Sequence, residues 1–383
     1  MLQQMSRAGA AWRSRRPASA AVWMVRLSWR QFRTQALVAY AALAVIAVIL
    51  AITGPHLVHL YDATVAPCKT YGDCGIATTQ FLANDHLLQA GLNSALLVLP
   101  ALVGIFWGAP LVARELEAGT FRLAWTQSVT RTRWLAVKLG VVGLSGMVVT
   151  GLFSLMVTWW SSPFDRVNVA RLSPAMFGER GLAPVGYAAF AFALGVIAGV
   201  VIRRTLPAMA ATLAAFLGAR LVMTYWVRPN LLTPLHITSA LQTATGNAPP
   251  SLAGTNPADW VLSSQTINAA GQVIGQNGGI GPNGDVGFNV ASNGTLTFLG
   301  VGRCPNRVQT AQTGAGAGSR VRGQHAAQAA TQECIEKLHI RDVLTYQPAS
   351  RYWAFQWYET AIFLGLALLL AGLCFWWIRR RLT

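Results

Sequence analysis

Charged residues are scarce in this sequence: they make up 11% of its 383 residues, while 53% are hydrophobic. A soluble domain usually carries about a quarter charged residues. So few charges cannot coat a water-soluble particle of this size, and lipid must therefore solvate much of the surface. The composition predicts an integral membrane protein.

Lysine is almost missing, which bears on nucleotide binding. A P-loop needs the pattern Gly-x-x-x-x-Gly-Lys-Ser/Thr so that its lysine reaches the terminal phosphates. The chain has only Lys69, Lys138 and Lys337, and none of them follows a glycine. Neither a Gly-x-Ser-x-Gly elbow nor a His-Glu-x-x-His pair occurs. We therefore expect a non-catalytic chain with no cofactor or metal site of its own.

Long apolar runs are what the sequence does have. A bilayer core about 30 Å thick requires roughly 20 helical residues at ~1.5 Å per residue. In lipid only helices and closed barrels satisfy their backbone groups, and these runs lack the short, alternating pattern of barrel strands. Six runs predict six transmembrane helices: 36–53, 87–113, 139–162, 181–202, 206–227 and 360–378.

The flanking segments complete the predicted fold. Residues 1–21 are rich in Ala, Arg and Ser and predict a disordered tail. Residues 22–35 carry apolar residues on one helical face and arginines on the other, which predicts an amphipathic interfacial helix. Residues 228–357 form the one large soluble piece, and residues 358–383 hold the last span with a basic tail.

The soluble piece has weak patterning. Short strands are predicted over 260–264 and 265–274, with a turn at Ala270-Gly271, and an amphipathic helix over 324–338. The expected fold class is an all-α polytopic membrane protein with six transmembrane helices. The predicted fold also includes the N-terminal interfacial helix and a large, irregular α+β extracellular insertion before the last helix.

Basic residues are unevenly distributed along the chain. Cytoplasmic loops of membrane proteins carry an excess of Lys and Arg, so the bias predicts a multi-pass protein of the bacterial plasma (inner) membrane with both termini in the cytoplasm. It also makes a nucleic-acid partner unnecessary to explain the net charge of +17. Seventeen of the thirty basic residues fall in four short segments: 1–35, 114–138, 203–205 and 379–383.

Four of the five cysteines fall in the predicted external loops. Cys68 and Cys74 share the first loop, and Cys304 and Cys334 share the insertion, while Cys374 lies within the last span. An even number in each external loop fits an oxidising outer face and predicts two local disulfides. The alternative is four free thiols.

Arg220 is a charge within a predicted span. An arginine at a helix centre costs on the order of 3 kcal/mol, so it should face a cavity or a partner. Glu359, at the start of the last span, is the candidate counter-ion. Snorkelling to the headgroups and substrate contact are the alternatives.

Glycine and proline predict how two spans pack. Gly195 and Gly199 form a Gly-x-x-x-Gly spacing in the fourth span, which favours a close approach to another helix. Pro100 and Pro110 lie in the second span and predict a kink or break there.

The cytoplasmic segment after the second span, residues 114–138, is rich in interface residues. Its acidic start, with Glu115 and Glu117, precedes Trp125 and Trp134, which lie among arginines. Aromatic residues and arginine are the usual anchors of protein interfaces. The segment therefore suggests docking to a soluble partner, and an ordinary positive-inside loop with aromatic belt residues is the alternative.

This segment resembles the coupling region of type-2 ATP-binding-cassette exporter permeases. Glu117-Ala118-Gly119-Thr120 matches their Glu-x-Gly-Thr pattern, and 129–133 with Lys138 fits the stretch that leads into the third span. The order of elements is also similar. The carboxyl end, over 346–353 and 376–381, looks like that of the actinobacterial members, but the long insertion departs from their usual short re-entrant helices.

The resemblance implies a permease subunit that works as a homodimer or as a heterodimer with a related permease, in contact with membrane lipid. Separate ATPase subunits would hold ATP-Mg and clamp the coupling loops, and their closure would shift the spans between inward- and outward-facing states. The residues it implies for the coupling hinge are Glu115, Glu117, Gly119 and Thr120, and for the docking surface Phe121, Arg122, Trp125, Arg131 and Arg133.

Two other function classes compete with this interpretation. A membrane-anchored sensor or assembly protein would bind a ligand through its external domain and signal through the cytoplasmic loop. An ion- or proton-coupled transporter usually needs carboxylates within its spans. Because no predicted span core contains Asp or Glu, the sequence disfavours the ion- or proton-coupled transporter.

Overall fold

The chain divides into two compact units. The membrane unit comprises Met1–Val167, Pro174–Arg228 and Trp353–Thr383, and the insertion unit comprises Asn168–Ser173 and Pro229–Tyr352. In their described parts the membrane unit is helical, whereas the strands all fall in the insertion unit. The computed structural model describes residues 17–71, 74–118, 130–167, 171–174, 176–240, 256, 258–276, 288–290, 295–298, 302–305, 333 and 336–381.

Among the described residues, six helices are long and apolar enough to cross a bilayer, which confirms the predicted number and indicates a multi-pass membrane protein. These spans are Phe32–Cys68, His86–Glu117, Thr132–Trp160, Ala183–Ile202, Thr205–Asn230 and Ala349–Arg380. The α-helices are Pro17–Tyr71, Gly75–Asn84, His86–Leu102, Ala109–Glu117, Arg131–Trp160, Ser162–Asp165, Ala183–Ile202, Thr205–Val222, Arg228–Asn230 and Tyr352–Arg381, with π-helical segments Val103–Gly108 and Met223–Val227 and 3₁₀ turns Phe177–Glu179 and Ala349–Arg351.

The first helix differs from the prediction. Residues 22–35 do not form a separate interfacial helix, because Pro17–Tyr71 is one continuous helix that also takes up the end of the predicted tail. Residues 18–53 contain neither glycine nor proline, so nothing in this stretch stops a helix from propagating. The rest of the predicted disordered tail, residues 1–16, lies outside the described residues.

Three other helices also run beyond the apolar stretches that predicted them. The second span continues to Glu117, so the acidic start of segment 114–138 is the end of that span. The helix of the third span begins at Arg131 rather than near residue 139, and the helix of the last span begins at Tyr352 rather than near residue 360. Hydrophobicity measures only the part of a helix in the bilayer core, whereas charged and aromatic residues at its ends reach the interface.

The second and fourth spans approach closely through glycine. A Cβ on Gly104 would lie 2.6 Å from the carbonyl oxygen of Ala191, and a Cβ on Gly199 would lie 2.5 Å from that of Ala109. Gly195 contacts the same part of the second span. The Gly-x-x-x-Gly spacing therefore packs within the chain, against the π-helical segment that lies between Pro100 and Pro110.

In its described residues the insertion unit contains two antiparallel sheets. The four-stranded sheet has the order β1-β7-β2-β3, and the three-stranded sheet has the order β4-β5-β6. The strands are β1 Leu235–Ala240, β2 Trp260–Ile267, β3 Val273–Gln276, β4 Phe288–Val290, β5 Thr295–Phe298, β6 Gly302–Pro305 and β7 Arg341–Gln347.

Strands β2 and β3 lie where the sequence predicted strands, but the predicted boundary between residues 264 and 265 does not interrupt β2. Residues 260–264 and 265–267 form one strand, β2, and the expected turn at Ala270-Gly271 leads into β3. Gly271 has a φ of +78°, a conformation that glycine adopts without strain. Most of the predicted helix 324–338 lies outside the described residues.

Candidate functional site

The second and fifth spans are joined at one end of the helical bundle. The Glu117 carboxylate accepts hydrogen bonds from the Thr205 backbone N–H at 3.2 Å and from its hydroxyl at 2.8 Å. Thr205 is the first residue of the fifth helix, where backbone N–H groups have no partner within the helix. Glu117 therefore caps that helix from a different span. We call this end of the bundle the Glu117 end.

The second and third spans are joined through Glu115, two residues before Glu117. Glu115 and Lys138 form an ion pair with a short hydrogen bond, and the Lys138 side chain is only 7% exposed. Its ammonium group also lies 4.7 Å from the centre of the Trp134 ring, within range of a cation–π interaction. The two helices that flank residues 118–130 are thus tied together at their ends.

The other residues implied for coupling fall partly outside this geometry. Arg131 begins the third helix, and Arg133 is exposed on its first turn. Thr205 was missed by the sequence analysis, because nothing local links it to an acidic residue 88 positions away. Outside the described residues lie Gly119, Thr120, Phe121, Arg122 and Trp125.

A buried ionic cluster occupies the opposite ends of the fourth, fifth and last spans, here called the Glu359 end. Glu359 is fully buried and accepts hydrogen bonds from Arg228 Nε at 2.9 Å and Arg228 Nη2 at 3.0 Å. The Tyr187 hydroxyl donates a short hydrogen bond to the same carboxylate. Arg220 Nη1 lies 3.7 Å from Glu359 Oε1, and its guanidinium group lies 3.7 Å from the centre of the Tyr187 ring.

The cluster places two guanidinium groups against one carboxylate. Arg220 meets the counter-ion that the sequence suggested, but Arg228 is the closer partner and was not singled out. It is also fully buried, with its guanidinium group 4.3 Å from the Phe177 ring centre. Removing both partners from water is tolerable only because each finds an opposite charge. The Glu359 carboxylate also accepts from Tyr187, whereas Arg228 Nη1 has no hydrogen-bond partner among the described residues.

Gln356, three residues before Glu359, adds a second buried junction. Its side-chain oxygen accepts from the backbone N–H of Leu182 at 2.9 Å and of Ala183 at 2.8 Å. Its amide nitrogen donates to the carbonyl oxygens of Phe177 at 3.2 Å and Arg180 at 3.1 Å. A glutamine gives no sequence signal for such a role, because its partners are backbone groups.

Four of the five cysteines lie in the described residues. Cys68 and Cys74 form a disulfide with an S–S distance of 2.07 Å, which closes the connection between the first helix and helix Gly75–Asn84. Cys304 lies in β6, while Cys334 is outside the described residues, as is any pairing between them. Within the part of the chain that the structure describes, no group of three or more His, Cys, Asp or Glu residues could hold a metal ion.

Comparison with known proteins gives one result. Residues 40–228 match the family described as ABC-2 membrane transporter related. The matched region is just under half of the chain and reaches from the first span to Arg228, so it includes the Glu117 end, while Glu359 lies beyond it. No curated protein and no solved structure matches the chain. The match supports an ABC-2-type permease family for the membrane part.

Proposed function

We propose that this chain is the membrane-spanning permease subunit of an ATP-driven exporter whose ATPase subunits are separate proteins. The observation that carries the proposal is the match of residues 40–228 to the ABC-2-related family, over a stretch that contains the second, third and fourth spans and most of the first and fifth. An ABC-2-type permease pairs with an ATPase subunit, and that partner would bind ATP-Mg.

The contacts at the Glu117 end support a route for coupling. An ATPase that docks on residues 119–133 would pull on a segment whose two ends belong to the second and third spans. The Glu115–Lys138 pair would keep those two spans moving together, and the Glu117–Thr205 hydrogen bonds would carry the motion to the fifth span. Closure of the ATPase pair would then favour one arrangement of the spans over another.

In this scheme the Glu359 cluster has a structural role, which is to hold two spans together. Because Arg228 and Glu359 are buried and paired, they hold the fifth and last spans together while the other end of the bundle moves. Substrate contact remains a role for Arg220 alone, whose distance to Glu359 is the longest in the cluster.

The experiment is co-purification of the full-length chain from its native membrane in mild detergent. We expect a stoichiometric P-loop ATPase to accompany the wild-type chain. The variants Glu117→Arg and Arg133→Glu reverse charges at the Glu117 end and should lose the ATPase. Asp62→Arg is the matched control, because Asp62 is an exposed acid on the first helix, outside the coupling segment.

Thermal stability of each variant separates lost docking from lost folding. A folded Arg133→Glu chain without ATPase supports the proposal, and a wild-type chain that brings down no ATPase contradicts it and favours the sensor or assembly role.

Arg220→Leu tests the remaining question about substrate contact. The chain should still assemble with its ATPase, because Arg228 continues to pair with Glu359. We expect export to be unchanged if Arg220 is purely structural, and an assembled complex that has lost export would assign substrate contact to Arg220.

A further inference from the structure

A groove runs along the first and second spans and reaches the third. Its volume is about 540 Å³, and apolar side chains form almost all of its wall. Along the first span it is bordered by Val38, Ala39 and Ala42, and along the second by Leu99 and Leu102. Val38 is 71% exposed and Leu102 is 40% exposed, so neighbouring helices leave these side chains open to the bilayer.

The groove leads toward charge at the Glu117 end. An adjoining cavity of about 160 Å³ shares Gln35, Phe106 and Trp107 with the groove. Its remaining wall includes Arg114, Glu115 and Lys138. A strip that is apolar for most of its length therefore ends in two cations and one carboxylate.

These charges favour an anion as the occupant of the cavity. Lys138 is 7% exposed and has three N–H donors, of which Glu115 takes one in the described structure. Arg114 is exposed beside it. One carboxylate cannot balance two cations, so the cavity keeps a net positive charge.

We propose that the groove and cavity bind one anionic phospholipid. Its phosphate lies against Lys138 and Arg114, and an acyl chain lies in the groove along Val38, Ala42 and Leu102. Basic pockets between helices on the cytoplasmic side of a membrane bind anionic headgroups, and the charge bias of the sequence assigns the Glu117 end to that side. A second copy of the chain is the poorer occupant of this groove, because its segments on that side, such as 114–138 and 203–205, carry more cations than anions and would not neutralise Lys138 and Arg114.

Native mass spectrometry of the detergent-solubilised full-length chain tests this site. Phosphatidylglycerol or phosphatidylcholine is added at matched concentrations, and the bound lipid is counted. We expect one phosphatidylglycerol to bind more tightly than phosphatidylcholine. Arg114→Gln should weaken phosphatidylglycerol about fivefold, the factor that corresponds to ~1 kcal/mol per basic residue, and should leave phosphatidylcholine unchanged.

Ala42→Trp tests the groove, because an indole at this exposed position would fill the groove. The variant should therefore lose the tight binding of phosphatidylglycerol. Arg379→Gln and Leu368→Trp are the matched controls: Arg379 is exposed near the end of the last span, and Leu368 is 74% exposed on that span. Both controls should bind lipid as the wild type does.

Equal binding of the two lipids, or equal loss in the control variants, would overturn the proposal. It would also fail if Ala42→Trp changed the oligomeric state and left the lipid count intact, because a second copy would then cover the groove. None of these outcomes depends on whether an ATPase co-purifies.

Discussion

Glu359 is the residue on which the buried charges of the Glu359 end depend. It accepts two hydrogen bonds from Arg228 and one from Tyr187, and Arg220 lies within ion-pair distance. Arg228, Glu359 and Tyr187 are buried, so none of these three side chains can turn to water without moving a span. A buried pair adds little net stability, but breaking it leaves an uncompensated charge.

Glu359→Ala should therefore lower the free energy of unfolding by on the order of 3–5 kcal/mol. Glu333→Ala is the control, because the Glu333–Lys337 pair is exposed and a solvated surface pair adds little to stability. Unfolding of both variants can be followed by thermal denaturation in detergent. Similar midpoints for the two variants would contradict the role assigned to Glu359.

Glu179 should make stability depend on pH. Burial raises the pKa of its carboxyl from 4.5 to about 7, against the opposing effect of Arg180 and Arg220. Between pH ~4.5 and ~7 the unfolded chain releases this proton first, so the folded state loses stability as pH rises through that range.

Glu179→Gln should remove this dependence. At pH 8 the variant should be more stable than the wild type by on the order of 1 kcal/mol, since solvent screening reduces the effect at a partly exposed carboxyl. Below pH ~4.5 the difference should disappear. Denaturation across this pH range measures it, and a variant that follows the wild-type pH profile would rule Glu179 out.

At the scale of elements, glycine lets the backbones of the second and fourth spans approach closely. Their backbones touch where side chains would otherwise hold them apart. Small residues allow such approaches in membranes, where packing replaces the hydrophobic effect as the force between helices. The contact also borders the π-helical segment of the second span, Val103–Gly108.

Gly199→Ala should destabilise the membrane unit by about 1–3 kcal/mol, the usual effect of an extra methyl group in a full interior. Its Cβ would lie 2.5 Å from the Ala109 carbonyl oxygen. Gly218→Ala is the matched control, because a Cβ there meets nothing within 4 Å. Thermal denaturation should separate the two variants, and a Gly199→Ala chain as stable as Gly218→Ala would mean that the spans can move apart freely.

At the scale of the whole molecule, the arrangement of charge sets the orientation in the bilayer. The basic segments flank the second, third, fourth and fifth spans at the Glu117 end. The insertion unit includes residues 229–352, and this stretch has few basic residues for its length. We therefore expect the Glu117 end in the cytoplasm and the insertion unit outside.

Single-cysteine labelling in intact cells tests this orientation. Ala270→Cys, in the exposed turn between β2 and β3, should react with a membrane-impermeant thiol reagent. Thr130→Cys, exposed at the start of the third helix, should react only after the cells are opened. If both positions react in intact cells, the ATPase docking surface could not face the cytoplasm.

Sequence reasoning succeeded where the signal is local. The six spans follow from the length of uncharged runs, and the Cys68–Cys74 disulfide joins positions only six residues apart. It failed on helix ends, such as the continuous Pro17–Tyr71 helix, because charged and aromatic residues at an interface are compatible with either a helix or a loop.

The amino-acid sequence alone determined that lipid is the main solvent of this chain and that six helices cross it, because hydrophobic length is a property of each segment by itself. Only the tertiary structure decided that Arg228 is the main partner of Glu359, 131 positions away, and that Glu117 caps the helix that begins at Thr205. Several arginines could have paired with that one glutamate, and only the packing of the spans selects which of them reaches it.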